Sequence, residues 1–362
     1  MDIKKYSIPI ITLVILGLFV YLFTNVVIYL IISLVLSLIG MPVVHGISRL
    51  KIGKFHIHHT IAAILTLCLF LSVIYIFSIT FLPPLVEQLS FLSHANLEEV
   101  LHNVLASNPH LKGLFSKIGN EHQVAISVGE QVTNFVNFQN ITYLFNNTMS
   151  YASTILGGLF SVLFITFFFL KDDQIVSKSI LLITPVGFDK EMGDILRTSK
   201  KMLSKYFIGL FIDVLYVSVV VTTLMWLFGI RNALVIGCLA GVMNVIPYIG
   251  PIITLFFAVF LGVSGCIEFA EYDTIASTIT KIILILIGTN LTDAMLIQPT
   301  IFSNTVKAHP LEIFLVILMA GAIGGILGMV VAIPSYTLLR IIAKEFLHHY
   351  KFFQKLTENI PE

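Results

Sequence analysis

Hydrophobic residues in this chain come in long unbroken stretches, not in alternation with polar ones. Residues 7–23 form a first run and 26–44 a second, parted only by Thr24-Asn25. Residues 60–82 form a third with no charged side chain, 150–170 a fourth that ends in Phe167-Phe168-Phe169, and 206–228 a fifth. Then come 233–264, 275–298 and 309–343. A helix of about 20 apolar residues crosses the hydrocarbon of a bilayer. The layout therefore predicts an all-α, polytopic membrane protein with about eight hydrophobic segments. The first run lacks a small-residue cleavage site and a second follows at once, so it reads as an uncleaved span.

Two runs are too long for simple spans. Residues 233–264 as one straight helix would reach about 48 Å, against about 30 Å of hydrocarbon. Near its middle stands Asn244-Val245-Ile246-Pro247-Tyr248-Ile249-Gly250-Pro251. Each proline lacks an N–H and collides with the carbonyl four residues back, so two of them with a glycine between should break the helix. Residues 309–343 repeat the problem with Gly321, Gly324, Gly325 and Gly328, and Pro334 beyond. These glycines either turn the chain or, as the overlapping G-x-x-x-G pairs Gly321/Gly325 and Gly324/Gly328, let helices pack closely. Each long run is then a kinked single span or a re-entrant hairpin of two half-helices. Backbone freed at such depth is tolerated only against protein or a wet cavity.

Charge orients the chain. Lys4 and Lys5 precede the first span, Arg49, Lys51 and Lys54 follow the second, seven Lys/Arg lie from Lys171 to Lys205, and Arg340, Lys344, Lys351 and Lys355 close the chain. Segment 84–148 carries five Glu against Lys112 and Lys117. Lys and Arg collect on the cytoplasmic side, so both termini are expected there and 84–148 outside. Hairpins put Glu268, Glu271 and Asp273 outside and Lys307 inside; single spans reverse this, and the charge rule favours hairpins. Under hairpins, 206–264 and 275–343 become a span plus hairpin each, in opposite orientations, a recurring transporter design. Within 84–148, Leu97, Val100, Leu101 and Val104 recur at helical spacing, as do Leu111, Leu114, Phe115 and Ile118, and later Val128, Val132 and Val136, so two or three amphipathic helices are expected.

Composition narrows the function. Of 362 residues, 57% are hydrophobic and 11% charged, and the net charge of +1 points to no nucleic acid. The expected partners are the lipid bilayer and a small solute or ion. Cys68, Cys238 and Cys266 make no metal or disulfide spacing, no nucleotide-binding P-loop is present, and no cofactor or metal is expected. His56, His58 and His59 read as an interfacial histidine-rich loop without further ligands. Gly262-Val263-Ser264-Gly265 matches a G-x-S-G, but a serine nucleophile needs a nearby base and none follows within a span, so an enzyme is not expected.

Charged residues inside apolar runs are costly and mark function. Asp213 lies in the fifth run and Asp293 within 275–298. With hairpins, both sit about 8–10 Å deep from one side and could share a cation or proton; with single spans they fall on opposite sides. Asn290, with Thr289 and Thr292, flanks Asp293, and Asn244 stands at the double-proline break, each offering substrate contact or a bond between helices. Gln298-Pro299 reads as a helix end.

These residues also carry a family likeness. The run from Asn244 to Pro251, then Leu296-Ile297-Gln298-Pro299, then Val306-Lys307-Ala308-His309-Pro310-Leu311, then Gly321 through Pro334 resemble, in that order, the pattern of the autoinducer-2 exporter family of permeases. Phe168-Phe169-Leu170-Lys171-Asp172 is similar to that pattern too, and the resemblance covers nearly the whole chain. It implies a bacterial inner-membrane permease not driven by ATP. Family members have been assigned autoinducer-2 export or sodium or lithium/proton exchange, and a homo-oligomer, a pentamer, with elevator-type movement. The expected layout is 1–83 with three spans, 84–148 as an extracytoplasmic helical segment, 149–205 with the fourth span and a basic segment, 206–345 as transport core and 346–362 as cytoplasmic tail. The transport path is assigned to Asp213, Asn244, Pro247, Gly250, Pro251, Asn290, Asp293, Gln298, Pro299, Gly321, Gly324, Gly325, Gly328 and Pro334. A non-transporting membrane scaffold stands as the alternative from another class.

Overall fold

The computed structural model describes residues 17–18, 21–52, 55–94, 103, 106–107, 148–185, 187–299 and 309–346. Most of the first hydrophobic run lies outside the described residues, and so do the amphipathic repeats expected over 97–136. The described part is helical, almost all of it α, apart from one two-residue ladder and the turns between elements. Among the described residues, six helices are long and apolar enough to cross a membrane. Large apolar side chains such as Phe160, Trp226, Leu284 and Met319 point outward, which suits a surface bathed in lipid.

By contacts the chain divides into two units, residues 1–71 with 149–196 and residues 72–148 with 197–362. In the first, α1 (Thr24–Arg49) leads through strands β1 (Lys51–Ile52) and β2 (Phe55–His56), paired antiparallel, into α2 (His59–His94). α3 (Thr148–Lys171) and the short α4 (Ile175–Leu182) follow. Small residues let these helices approach: Ala62 and Ala63 are fully buried with Val44 and Leu170. A Cβ on Gly40 would stand 3.0 Å from both Leu170 and Phe70. Ser33 Oγ donates to the Val162 carbonyl at 3.0 Å, so a hydroxyl bonds across helices.

α2 continues past its apolar run and through Pro83 and Pro84 as far as His94. α5 (Asp189–Leu227) likewise starts well before its apolar run, so its 39 residues, about 58 Å, carry a charged first third. The second unit is built on the end of α2 and most of α5, with α6 (Ala233–Met243), α7 (Ile249–Glu268), α8 (Ile275–Thr292) and α9 (Pro310–Phe346). Its core joins Val217, Val221 and Met225 of α5 to Ile236 of α6, Leu261 of α7 and Ile282 of α8.

Both long runs are hairpins. α6 is 11 residues, about 16 Å, or roughly half the hydrocarbon depth. α7 returns beside it: Asn232 Nδ2 donates to the Leu261 carbonyl, and Arg231 lies beside Gly265. α5 ends where α6 begins, at a left-handed Gly229 (φ 72°), and the Ile230 N–H closes the turn on the Met225 carbonyl at 2.8 Å. In α9, Gly325 takes φ 58°, ψ −142°, a region only glycine enters readily. Gly328 then meets the Ala320 carbonyl, and Tyr336 donates to Glu312 Oε2 at 2.8 Å. A straight helix would hold those last two residues about 36 Å apart. Of the two readings of the glycine-rich run, the turn is the one found.

Candidate functional site

α6 lies against α5 through a stripe of small residues. A Cβ on Gly237 would fall 2.8 Å from the Ser218 carbonyl, and one on Gly241 would fall 2.5 Å from the Val214 carbonyl. Gly237 and Gly241 make a G-x-x-x-G that the sequence reading passed over, and it brings the two backbones close. One turn further on, α6 ends at Asn244, level with Asp213 of α5.

The break itself is a strained turn. Ile246 N–H bonds the Met243 carbonyl at 3.0 Å, Gly250 N–H bonds the Ile246 carbonyl at 2.8 Å, and Ile249 N–H bonds the Pro247 carbonyl at 2.8 Å. The last bond closes a three-residue turn around Tyr248 at φ 65°, ψ −45°, a rare and strained conformation for a residue with a side chain. Gly250 packs directly on the Met243 carbonyl, where no side chain would fit.

Around this tip lies a cavity of about 390 Å³. Tyr206, Leu210 and Asp213 line it from α5 at i, i+4 and i+7, one face of a helix. Asn244, Pro247, Tyr248 and Pro251 come from the hairpin tip, and Asn290, Asp293, Ala294 and Gln298 from the end of α8. Ile313 and Ile333 come from the two arms of α9. None of these lining side chains is basic.

Asp213 and Asp293 meet here. Asp213 is 3% exposed and Asp293 2%. Asn244 Nδ2 donates to Asp213 Oδ2 at 2.9 Å and to Asp293 Oδ2 at 3.4 Å, while Gln298 Nε2 donates to Asp293 Oδ2 at 2.9 Å. The Oδ1 of each carboxylate is buried with no hydrogen-bond partner. Gln298 reaches back because residues Asp293–Ile297 form a single π-helical turn, a device that recurs at functional sites. Tyr216 Oη donates to Thr292 Oγ1 at 2.9 Å and ties α5 to α8 beside the cavity.

Seven residues assigned to the path from sequence line this cavity: Asp213, Asn244, Pro247, Pro251, Asn290, Asp293 and Gln298. Gly250 stands behind the turn. Pro299, Gly321, Gly324, Gly325, Gly328 and Pro334 do not line it. The α9 turn instead presents Ile323, 89% exposed, and Ile326, 69% exposed, outward. Tyr206 and Leu210 were legible as residues on the Asp213 face; Ile313 and Ile333 carry no local signal, because only the reversal of α9 puts them together. Ser264 of the G-x-S-G is buried in α7, and its hydroxyl donates to Gln88 Oε1 at 2.7 Å.

Comparison with known proteins follows the same stretch of chain. A family model described as "AI-2E family transporter" matches residues 10–348. "Putative transport protein YueF" of Bacillus subtilis (strain 168) is 28% identical over 332 residues, covering 90% of this chain and 86% of that protein. A "Putative transport protein" of Thermotoga maritima is 22% identical over 333 residues, 90% of each chain. "Putative transport protein YrrI" of the same Bacillus is 28% identical over 184 residues, about half of each.

Proposed function

We propose that this chain, which belongs to the AI-2E transporter family, carries a small solute through the membrane as a secondary permease, with the cavity at the first hairpin tip as its binding site. The observation that carries the reading is that cavity: two buried carboxylates and three amide side chains gathered inside an apolar multi-pass chain. Burying charge in such a place is costly, and the usual return is a path for a solute or ion. The first hairpin stops about halfway across, so its tip can border an opening from one side at a time. The tip also touches the base of the second hairpin, Tyr248 against Phe314 with ring centroids 6.0 Å apart. An elevator-like displacement of these hairpins against the remaining helices would alternate access to the cavity. The solute in this reading is an autoinducer-2-like signalling molecule or related metabolite, and the setting is a bacterial inner membrane with both termini cytoplasmic.

Reconstitution into liposomes tests the proposal. Candidate solutes are offered under an imposed sodium or proton gradient. Flux is expected with the natural chain, and Asp213→Asn or Asp293→Asn is expected to lower it by about tenfold or more, as loss of a charge-assisted contact would. No flux of any solute or ion, together with a stable co-purifying protein, would favour the scaffold reading.

The paired carboxylates favour one second reading, exchange of sodium or lithium for protons. Its mark is sodium-driven proton movement in vesicles without added solute, abolished by either Asp→Asn change. Exchange that survives both changes rules that mechanism out.

A further inference from the structure

We infer that Asn244 is a latch tying the first hairpin tip to the carboxylate pair, and that a small monovalent cation settling between Asp213 and Asp293 opens it. The inference rests on the reading of the cavity as a transport site and adds what sets the hairpin free.

A single Nδ2 holds both carboxylates, one on α5 and one on α8, at 2.9 and 3.4 Å. An amide nitrogen carries two hydrogens and no acceptor, so this contact uses all it has. Each carboxylate keeps one buried oxygen without a partner. Such oxygens call for a proton or a cation. The other polar groups lining the cavity, Tyr206, Tyr248, Asn290 and Gln298, supply no cation, and Lys, Arg and His are absent from the described lining. With no basic group among the described lining residues, the pair is neutralised by a proton that it shares or by a cation from solution.

A cation between the carboxylates faces the amide hydrogens and repels them. Neither amide hydrogen can then stay bonded to the pair, and the amide turns away from it. Asn244 is also the last polar hold before the strained turn at Tyr248. Backbone in that conformation persists only while its surroundings enforce it, so loosening the amide contacts lets the tip move.

The test uses the full chain in nanodiscs, with sodium or lithium chloride as probe against N-methylglucamine chloride at constant ionic strength. Cys68, Cys238 and Cys266 are replaced by alanine, and a Val245→Cys substitution reports tip exposure through maleimide labelling. Labelling is expected to speed up by about tenfold or more with the cation, the equivalent of one charge-assisted hydrogen bond lost. Asn244→Ala is expected to label fast with or without it. Asn244→Asp is expected to label fast while still binding the cation in calorimetry. Hydrogen exchange over residues 245–250 in the unsubstituted chain gives the same readout without cysteines, and the cation should accelerate it. Slow, cation-responsive labelling in Asn244→Ala overturns the latch. So does cation binding that Asp213→Asn abolishes but that leaves tip exchange unchanged, an outcome that keeps the site and removes only the latch. Absence of any sodium or lithium binding overturns it as well, and solute flux in liposomes then judges the transport reading on its own.

Discussion

Gly325 shows how one residue decides the shape of an element. Its φ of 58° with ψ of −142° lies where a Cβ is strained, and a side chain there costs about 1–3 kcal/mol. Gly324, next to it, has ordinary backbone and nothing within 4 Å of a Cβ built on it. Gly325→Ala is therefore expected to lower stability in detergent by about 1–3 kcal/mol, while Gly324→Ala stays within about 0.5 kcal/mol of the natural chain. Thermal unfolding of the pair checks this. Equal loss in both would mean that the glycines serve packing against a partner surface instead of the turn. Gly250 works by another means: its backbone is ordinary, but a Cβ would meet the Met243 carbonyl, so it is space and not φ that the residue supplies.

The two hairpins are elements whose existence was legible and whose geometry was not. Pro247, Gly250 and Pro251 announced the first break, because missing donors and a ring clash act locally. Length against hydrocarbon thickness announced the second. Whether Gly321 to Gly328 turned the chain or packed it stayed open, since both uses need the same residue type. The meeting of Asp213 and Asp293 was legible only as a consequence of hairpins, and the α9 contribution to the cavity was not legible at all. A reversed α9 predicts that cysteines replacing Glu312 and Tyr336, in a chain without Cys68, Cys238 and Cys266, are joined by a short bis-maleimide. An unbroken helix would keep them apart. The extension of α2 beyond Pro83 and Pro84 was also hidden, and it has a tertiary partner. Gln88, 6% exposed, donates to Glu268 Oε2 at 2.8 Å and accepts from Ser264 at 2.7 Å. Gln88→Leu orphans the buried Ser264 hydroxyl, with an expected loss of about 1–3 kcal/mol. Adding Ser264→Ala should recover part of it, which a double-mutant cycle of unfolding midpoints would read. Full additivity would deny the contact.

At the scale of the whole molecule, α8 fixes which loops share a side. The apolar stretch Tyr272–Ile297 has 26 residues, about 39 Å, enough to cross the hydrocarbon with tilt. Residues before and after it must then face opposite compartments. At its start, Arg231 bonds Glu271 at 2.8 Å and stacks over Phe269 at 3.6 Å from the ring centroid, so the α5–α6 turn and the α7–α8 turn belong to one rim. Lys281 Nζ, 3.4 Å from the Phe228 carbonyl, lies at the same rim. In the proposed orientation, with both termini cytoplasmic, the bias of Lys and Arg along the chain would put this rim outside the cell. Ala270→Cys is accordingly expected to react with a membrane-impermeant maleimide in intact cells, and Thr305→Cys only after the membrane is opened. The reverse pattern would invert the orientation and leave the fold intact. Labelling of both from one side would deny that α8 crosses at all, and with it the opposed arrangement of the two span-and-hairpin halves on which the proposed elevator-like movement depends.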